Sequence, residues 1–452
     1  MSQSKRKLIK NVVCPHCWTS FPPEATLWIA EAPNLYGDRK LGDTEPLRFL
    51  PTEFDERGFA VDPSGYSCKD YACPHCHLRL PQGALEAPAI FMSIVGAPSS
   101  GKSYYLSSST FTLRSLLPRD FMVGFTDADS EMNRRIREYE SKQFFGGDEL
   151  TYLEKTQETG DSYDTVMIGE QAVILPKPFV FSAIPAADHP NSAAAETVAR
   201  TVCLYDNAGE SYLPQKGADS SAYPVTRHLG QSRCIFFLFD PTQDAHFLRE
   251  CRNFSNDPQI LSSEELKAMG KNLRKSPQRQ EAVLNEMAKR VRIHRRMKNT
   301  ERYDGIFVVI VCKYDIWKPL INVPKPNLIS KGNYKDREYN FLNMNRVKAL
   351  SAAVRELLMQ KTPEFVAVAE GFASDVVYLP VSSCGCSPIF DQNDVLGFRA
   401  NEIQPIWAEI PMLYALARTA PGLIPIVQGK PDEEKPTLVA NPPRKLDFTK
   451  RQ

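Results

Sequence analysis

A chain of 452 residues, at roughly 150 residues per domain, holds about three folding units or one large domain with additions. Its 42% hydrophobic and 24% charged residues are those of an ordinary soluble globular protein with a core of normal size. A net charge of +1 names no partner, so nucleic acid or a membrane surface would have to be met by a local patch.

The opening, MSQSKRKLIKN, is basic with no apolar run behind it, and no signal peptide is expected from it. The longest apolar runs, CIFFLFD and IFVVIVC, are far too short to span a bilayer and read as buried strands. The 11 cysteines include Cys203, Cys234 and Cys312 within apolar runs; an odd count without an export signal points to a reducing cytoplasm.

The first chemical motif is CPHC, which occurs at 14–17 and again at 73–76. Cys14, Cys17, Cys73 and Cys76 supply four soft thiolates, the ligand set of a closed tetrahedral zinc site, each pair on a tight proline-containing turn. The gap between the pairs exceeds that of compact zinc ribbons, so a loop-rich insertion, 21–54, must fold over the site. A zinc-ribbon-like module over 1–87 is the expectation. Its Zn²⁺ would be structural, because no position remains for water, and would contribute folding energy on the order of 10 kcal/mol. Two other readings stand beside it. CPHC also serves as a thiol-oxidoreductase active site, which requires a strand-to-helix setting that neither copy shows, and the cysteines could be unpaired structural residues. His16, His75, His77 and Cys68 are spare donors, read as solvated or as second partners behind the ligands.

Residues 89–106, AIFMSIVGAPSSGKSYYL, carry an apolar strand into Gly96, Ala97, Pro98, Ser99, Ser100, Gly101, Lys102 and Ser103, with helix-like residues from Tyr104 onward. This is a complete G-x-x-x-x-G-K-[ST] phosphate loop between a strand and a helix. The glycines let backbone N–H groups turn around a phosphate. Lys102 reaches the β- and γ-phosphates, Ser103 offers its hydroxyl to Mg²⁺, and the helix N-terminus adds its dipole. The loop does not choose between ATP and GTP.

Further strands are predicted at 177–184, 198–205, 233–239, 305–312 and 375–381, and helices at about 103–117, 243–254, 343–360 and 403–418. The short connection PAADHPNSAAAE suits an antiparallel hairpin, and the rest alternate strand and helix. The expected fold class is α/β: a mainly parallel sheet with one antiparallel hairpin and helices on both faces, over 88–419, with insertions near 120–172 and 255–304. The tail, 420–452, is rich in proline and charge and reads as extended or disordered.

Three more stations fall at the strand ends: Asp206-Asn-Ala-Gly209-Glu210, Cys312-Lys313-Tyr-Asp315 and Ser382-Ser383-Cys384-Gly. With the phosphate loop, their order resembles the signature of Ras-like GTPases of the translation-factor-related class: loop, Asp-x-x-Gly, [Asn/Thr]-Lys-x-Asp and a final Ser-Ala-type turn. The combination also resembles the bacterial double-GTPase group tied to conflict or defence loci. The resemblance spans roughly 88–418. It implies GTP/GDP with Mg²⁺ as ligands. Asp206 would hold an Mg²⁺-bound water, Gly209 would touch the γ-phosphate, Lys313 would lie along the base, and Asp315 would pair with guanine. Ser383 and Cys384 would form the turn that meets the base oxygen. It also implies a switch threonine on Mg²⁺, for which Thr156 is preferred over Thr165 and Thr159.

Two positions depart from that pattern. Cys312 replaces the Asn or Thr that ties the base and phosphate loops together, which puts affinity or base selectivity in doubt, since a thiol is a poor donor. Glu210 replaces the water-orienting Gln, so slow turnover, or hydrolysis completed by a partner, is expected. The resulting reading is a GTP-binding switch that engages another protein, which could be a second GTPase or an effector on another chain. A non-hydrolysing GTP-binding scaffold and an ATPase remain as alternatives. The basic stretch 285–302 reads as a solvated helical insertion that leaves nucleic acid open, without the interleaved aromatics of a base-stacking surface. Arg295 and Arg296 are candidate arginine fingers that spacing does not single out.

Overall fold

The computed structural model describes residues 8–153, 163–206, 226–271, 279–334, 336–427 and 435–439. Its centre is a seven-stranded sheet. The strands are β1 (Ala89–Gly96), β2 (Val123–Asp127), β3 (Phe179–Pro185), β4 (Arg200–Asp206), β5 (Cys234–Phe239), β6 (Tyr303–Val311) and β7 (Ala373–Pro380). Their spatial order is β2-β3-β4-β1-β5-β6-β7. Strands β4, β1, β5, β6 and β7 run parallel, so their carboxyl ends share one edge of the sheet. Buried between neighbours, β1, β5 and β6 are continuous apolar runs rather than alternating ones.

The predicted strands lie within two residues of the observed ends, and β3 and β4 form the expected antiparallel pair. The stretch expected as an insertion, 120–172, instead adds an edge strand: β2 pairs antiparallel with β3, giving a second antiparallel pair. Its sequence, VGFTD, is short and half polar, which hid it. Helix α1 (Lys102–Phe121) packs on β2 and on α2 (Arg134–Phe144). Helices α3 (Gln280–Arg295), α4 (Met344–Lys361), α5 (Pro363–Phe372) and α6 (Ile410–Thr419) complete the longer helices among the described residues. The helix predicted from 403 begins only at Ile410. Gln404 N–H and Ile406 N–H are instead spent on the carbonyls of Cys384 and Ser382, which holds 404–406 extended.

The first strands of the chain are two to five residues long and form small separate pairs and one three-stranded sheet. Their apolar residues join Phe91, Val180, Cys203 and Tyr205 of the large sheet in one buried cluster. A hairpin, Tyr163–Ile168 with Gln171–Pro176, contributes Val166 and Leu175 to that cluster. Beyond 420, Ile426–Val427 pairs with Arg337–Asn343 and Thr437–Leu438 with Ile321–Asn322, so the described part of the tail is extended and docked. Among the described residues no helix is long and apolar enough to cross a membrane.

Candidate functional site

The two CPHC turns, 59 residues apart in the sequence, meet in space. Sγ of Cys14 is 3.7 Å from Sγ of Cys76, and Sγ of Cys17 is 3.7 Å from Sγ of Cys73. All four sulfurs lie within 4.8 Å of one another. A tetrahedron of zinc–sulfur bonds about 2.3 Å long has edges of about 3.8 Å. A disulfide would need sulfurs at about 2.05 Å. The cluster can therefore hold a zinc ion. Neither turn opens a helix; each follows a two-residue strand, Val12–Val13 or Tyr71–Ala72. The backbone N–H groups of His16 and His75 donate to Cys14 Sγ and Cys73 Sγ, both at 3.3 Å, the same bond made twice. The spare donors sit outside the cluster. His16 Nε2 meets the Arg79 carbonyl at 3.0 Å, His77 Nδ1 meets Asp38 at 2.7 Å, and Cys68 lies beside Asp62.

The second assembly is a cavity of about 420 Å³ at the carboxyl edge of the sheet. It is lined by 98–104 from the loop after β1, by Cys312, Lys313 and Asp315 after β6, and by Ser382, Ser383 and Cys384 after β7. Sequence segments more than 200 residues apart thus face one space. Gly96 starts the loop where nothing larger fits: a Cβ there would stand 2.7 Å from Ser100 Oγ and 3.0 Å from the Leu238 carbonyl. Gly101 ends it with φ +88°, the left-handed conformation that glycine adopts at no steric cost, and α1 begins at the next residue. Lys102 is buried, with Nζ at 3.1 Å from the carbonyls of both Gly96 and Ala97. Tyr104 lines the apolar wall with Tyr152, Leu153 and Phe398; its hydroxyl accepts from the Leu153 N–H at 3.1 Å.

On the opposite wall Lys313 adopts φ +55° and Asp315 follows in the turn of helix Tyr314–Trp317. Burial pushes the Asp315 carboxyl up to about 6, against a hydrogen bond from Ser382 that pulls it down. The Cys312 thiol is buried and donates to the Ile310 carbonyl at 3.5 Å. The final turn is fixed from below: Ser108 Oγ donates to the Ser383 carbonyl at 2.6 Å, and Gln143 Nε2 donates to Ser108 Oγ at 2.7 Å.

Asp206 ends β4, buried, opposite Ile94 and two strand positions before Gly96. It stands beside the loop without lining the cavity, and Arg135 Nη2 lies 3.9 Å from its carboxylate. Thr156, Thr159, Gly209 and Glu210 lie outside the described residues. Thr165 is exposed on the hairpin that packs against the cysteine turns, not on the cavity wall. Arg295 is not placed as a finger for this cavity. It donates to the carbonyls of Gly230 and Ser232, at the amino end of β5, the edge of the sheet opposite the cavity. Arg290 is buried against Glu286 at 2.9 Å, so part of the basic stretch is spent inside the fold.

Sequence reasoning missed the 240–243 turn. Asp240, fully buried after β5, accepts from Lys313 Nζ at 2.7 Å, and Thr242 Oγ1 stands 2.8 Å from the same nitrogen. Gln243 Nε2 donates to the Pro98 carbonyl at 3.1 Å and to Asp240 at 3.2 Å. It missed Asp257 and Gln259 as well, which line the cavity from the segment between β5 and β6. The sequence signal for the turn, Asp-Pro-Thr-Gln directly after a buried strand, was present but reads as an ordinary cap.

No protein-family model matches the chain. Among curated proteins it is similar to the putative ESX-1 scaffolding and assembly protein SaeC of Mycolicibacterium smegmatis, 25% identical over 251 residues. The match takes in 50% of this chain and 57% of the relative, so little more than half of that protein's length is compared.

Proposed function

We propose that the chain binds a guanine nucleotide with Mg²⁺ in the cavity and uses it as a switch for engaging another protein. The observation that carries this reading is the shared cavity. A glycine-bounded loop with a buried lysine at a helix N-terminus, a Lys-x-Asp turn and a Ser-Ser-Cys turn all face it from the carboxyl ends of parallel strands. Crevices at that edge of open α/β sheets are where ligands bind. In this reading the N–H groups of 99–103 and Lys102 hold the phosphates and stabilise the transferring charge. Ser103 and Asp206 serve Mg²⁺, with Thr156 as the switch ligand. Asp315 accepts from guanine N1–H and the 2-amino group, a donor pair that adenine lacks. Glu210 or a partner orients the attacking water. The cysteine cluster carries structural Zn²⁺.

The deciding experiment denatures freshly purified protein and identifies the released nucleotide, then competes ATP against GTP for the refilled site. Asp315→Asn should exchange guanine for xanthine preference, because the amide donates where the carboxylate accepts. Release of adenine nucleotides, or equal competition by ATP, overturns the reading.

A second reading, a GTP-holding scaffold without turnover, is favoured by one observation: the matched relative is named for scaffolding and assembly. Single-turnover hydrolysis with and without cell extract separates the two. Protein partners are supported under either reading.

A further inference from the structure

We infer that Asp257 is a second ligand-reading carboxylate of the cavity, accepting a hydrogen bond from a donor on the nucleoside half of the bound nucleotide. The inference rests on the nucleotide reading above and names a binding residue that the GTPase resemblance does not supply.

Asp257 belongs to the long segment between β5 and β6, and it is held rigidly there. Its N–H donates to Ser255 Oγ at 3.2 Å, and its carbonyl accepts from the Ile260 N–H at 3.1 Å. Ile260 is itself fully buried in the main core, and Arg252 Nε donates to its carbonyl at 2.7 Å. The segment is therefore a fixed wall of the cavity.

The side chain is 1% exposed. Oδ1 accepts from the Gln259 N–H at 2.7 Å. Oδ2 has no partner in hydrogen-bonding geometry among the described residues. A buried carboxylate oxygen left in this condition costs more than a neutral group would, so something is expected to satisfy it. Within the protein the Ser387 side chain and Lys313 both lie close enough to lower the carboxyl, but Ser387 makes no bond to Oδ2 in hydrogen-bonding geometry and Lys313 Nζ is committed to Asp240 and Thr242. What Asp257 does face is the cavity, which it lines together with Asp315, Gln259 and Cys386.

The two ends of that cavity differ in kind. One end carries the amide-rich loop and Lys102, which suit an anion. The other carries two carboxylates, which suit neutral N–H or O–H donors. A nucleoside triphosphate is anionic at one end and donor-bearing at the other. Asp315 alone can take the N1–H and one hydrogen of the 2-amino group. The remaining donors of a guanine nucleoside are the second amino hydrogen and the ribose hydroxyls, and Asp257 is placed to accept from one of them. Burial raises the Asp257 carboxyl and Lys313 opposes that shift, so the ligand donor arrives at a group whose charge it helps to stabilise.

The test measures dissociation constants of wild type and Asp257→Asn for GTP, for ITP, which lacks the amino group, and for 2′,3′-dideoxy-GTP. Asp257→Ser, which keeps an acceptor for the Gln259 N–H, repeats the test should the amide misfold. The expected result is a 10- to 100-fold weaker GTP affinity. For one analogue the variant should bind no worse than wild type does: ITP if the partner is the amino group, the dideoxy nucleotide if it is the sugar. An unchanged GTP affinity in a folded variant overturns the assignment and leaves the nucleotide reading standing. Equal weakening for all three ligands also overturns it, since Asp257 would then act only through the fold. A wild type that binds none of them overturns both readings.

Discussion

Replacing Cys17 with alanine should unfold the N-terminal segment while leaving the seven-stranded sheet intact. The argument is one of magnitudes. Four sulfurs within 4.8 Å of one another, two pairs of them at 3.7 Å, suit a metal whose binding contributes on the order of 10 kcal/mol to folding. What else holds the segment is smaller. Its strands are two to five residues long and its apolar cluster is minor beside the main one. One anchor on the sheet is Trp18, which is 8% exposed, lies 5.9 Å from the Tyr205 ring and donates Nε1–H to the Tyr205 hydroxyl at 2.9 Å; Tyr205 in turn donates to the Pro15 carbonyl, and Arg79 pairs with Asp129 at 2.7 Å. Burying one tryptophan of about 200 Å² is worth at most about 5 kcal/mol. That does not offset the loss of the metal against the conformational entropy of some 80 residues.

Of the four tryptophans, Trp18 and Trp28 lie in this segment, and Trp317 is fully buried in the main core. The assay is therefore metal content by mass spectrometry together with tryptophan emission. Wild type should carry one zinc per chain. Cys17→Ala, or wild type with a strong chelator under reducing conditions, should lose it and shift emission to the red, while the sheet core keeps its circular dichroism. The reasoning is refuted if metal-free protein shows unchanged emission and the same melting temperature.

Two further outcomes follow from buried titrating groups. With the Asp315 carboxyl at about 6, guanine nucleotide affinity should fall roughly tenfold between pH 7 and pH 5, as protonation competes with the ligand donors. Equilibrium binding across that range checks it, and Asp315→Asn should flatten the profile. The raised value also means that ionising Asp315 opposes folding above about pH 6, a cost relieved as pH falls toward 4. His228 has the opposite sign. It is fully buried on Ser93 Oγ at 2.6 Å, and burial lowers it to about 3. Below the unfolded value of 6.5 it should remove about 1.4 kcal/mol of stability per pH unit, down to about pH 3. Urea unfolding at pH 7 and pH 5 should show this loss in wild type and a smaller one in His228→Gln.

The strands that proved legible are those whose burial dictates composition. CIFFLF and GIFVVIV have neighbours on both sides, and a short run of large β-branched and aromatic residues is what a strand buried on both faces requires. Asp206, Lys313 and Asp315 were legible for a related reason: a polar residue directly after such a run marks a strand end. The edge strand β2 was not legible, because an edge with one partner and a glycine carries little periodic signal. The cavity wall at 257–259 was not legible either. Asp257 reads as a turn residue in Asn-Asp-Pro-Gln, and only three-dimensional closure shows that it lines the cavity.

Cys312 departs from the resembled motif, and the contacts around it bear on what that departure would cost. The sequence argument expects weakened coupling between the base-side and phosphate-side loops, because a thiol replaces a strong hydrogen-bonding side chain. The geometry supplies that coupling from the neighbouring strand. Asp240 holds Lys313 by a charge-assisted bond at 2.7 Å, and Gln243 holds both Asp240 and the Pro98 carbonyl of the other loop. A chain of three side chains, Lys313, Asp240 and Gln243, thus links the two walls. Asp240 is fully buried, so the Lys313 ion pair is shielded from solvent on one side and is stiffer than a surface pair. Cys312 is buried in the main apolar cluster. In this chain the contact between the two cavity walls runs through the 240–243 turn.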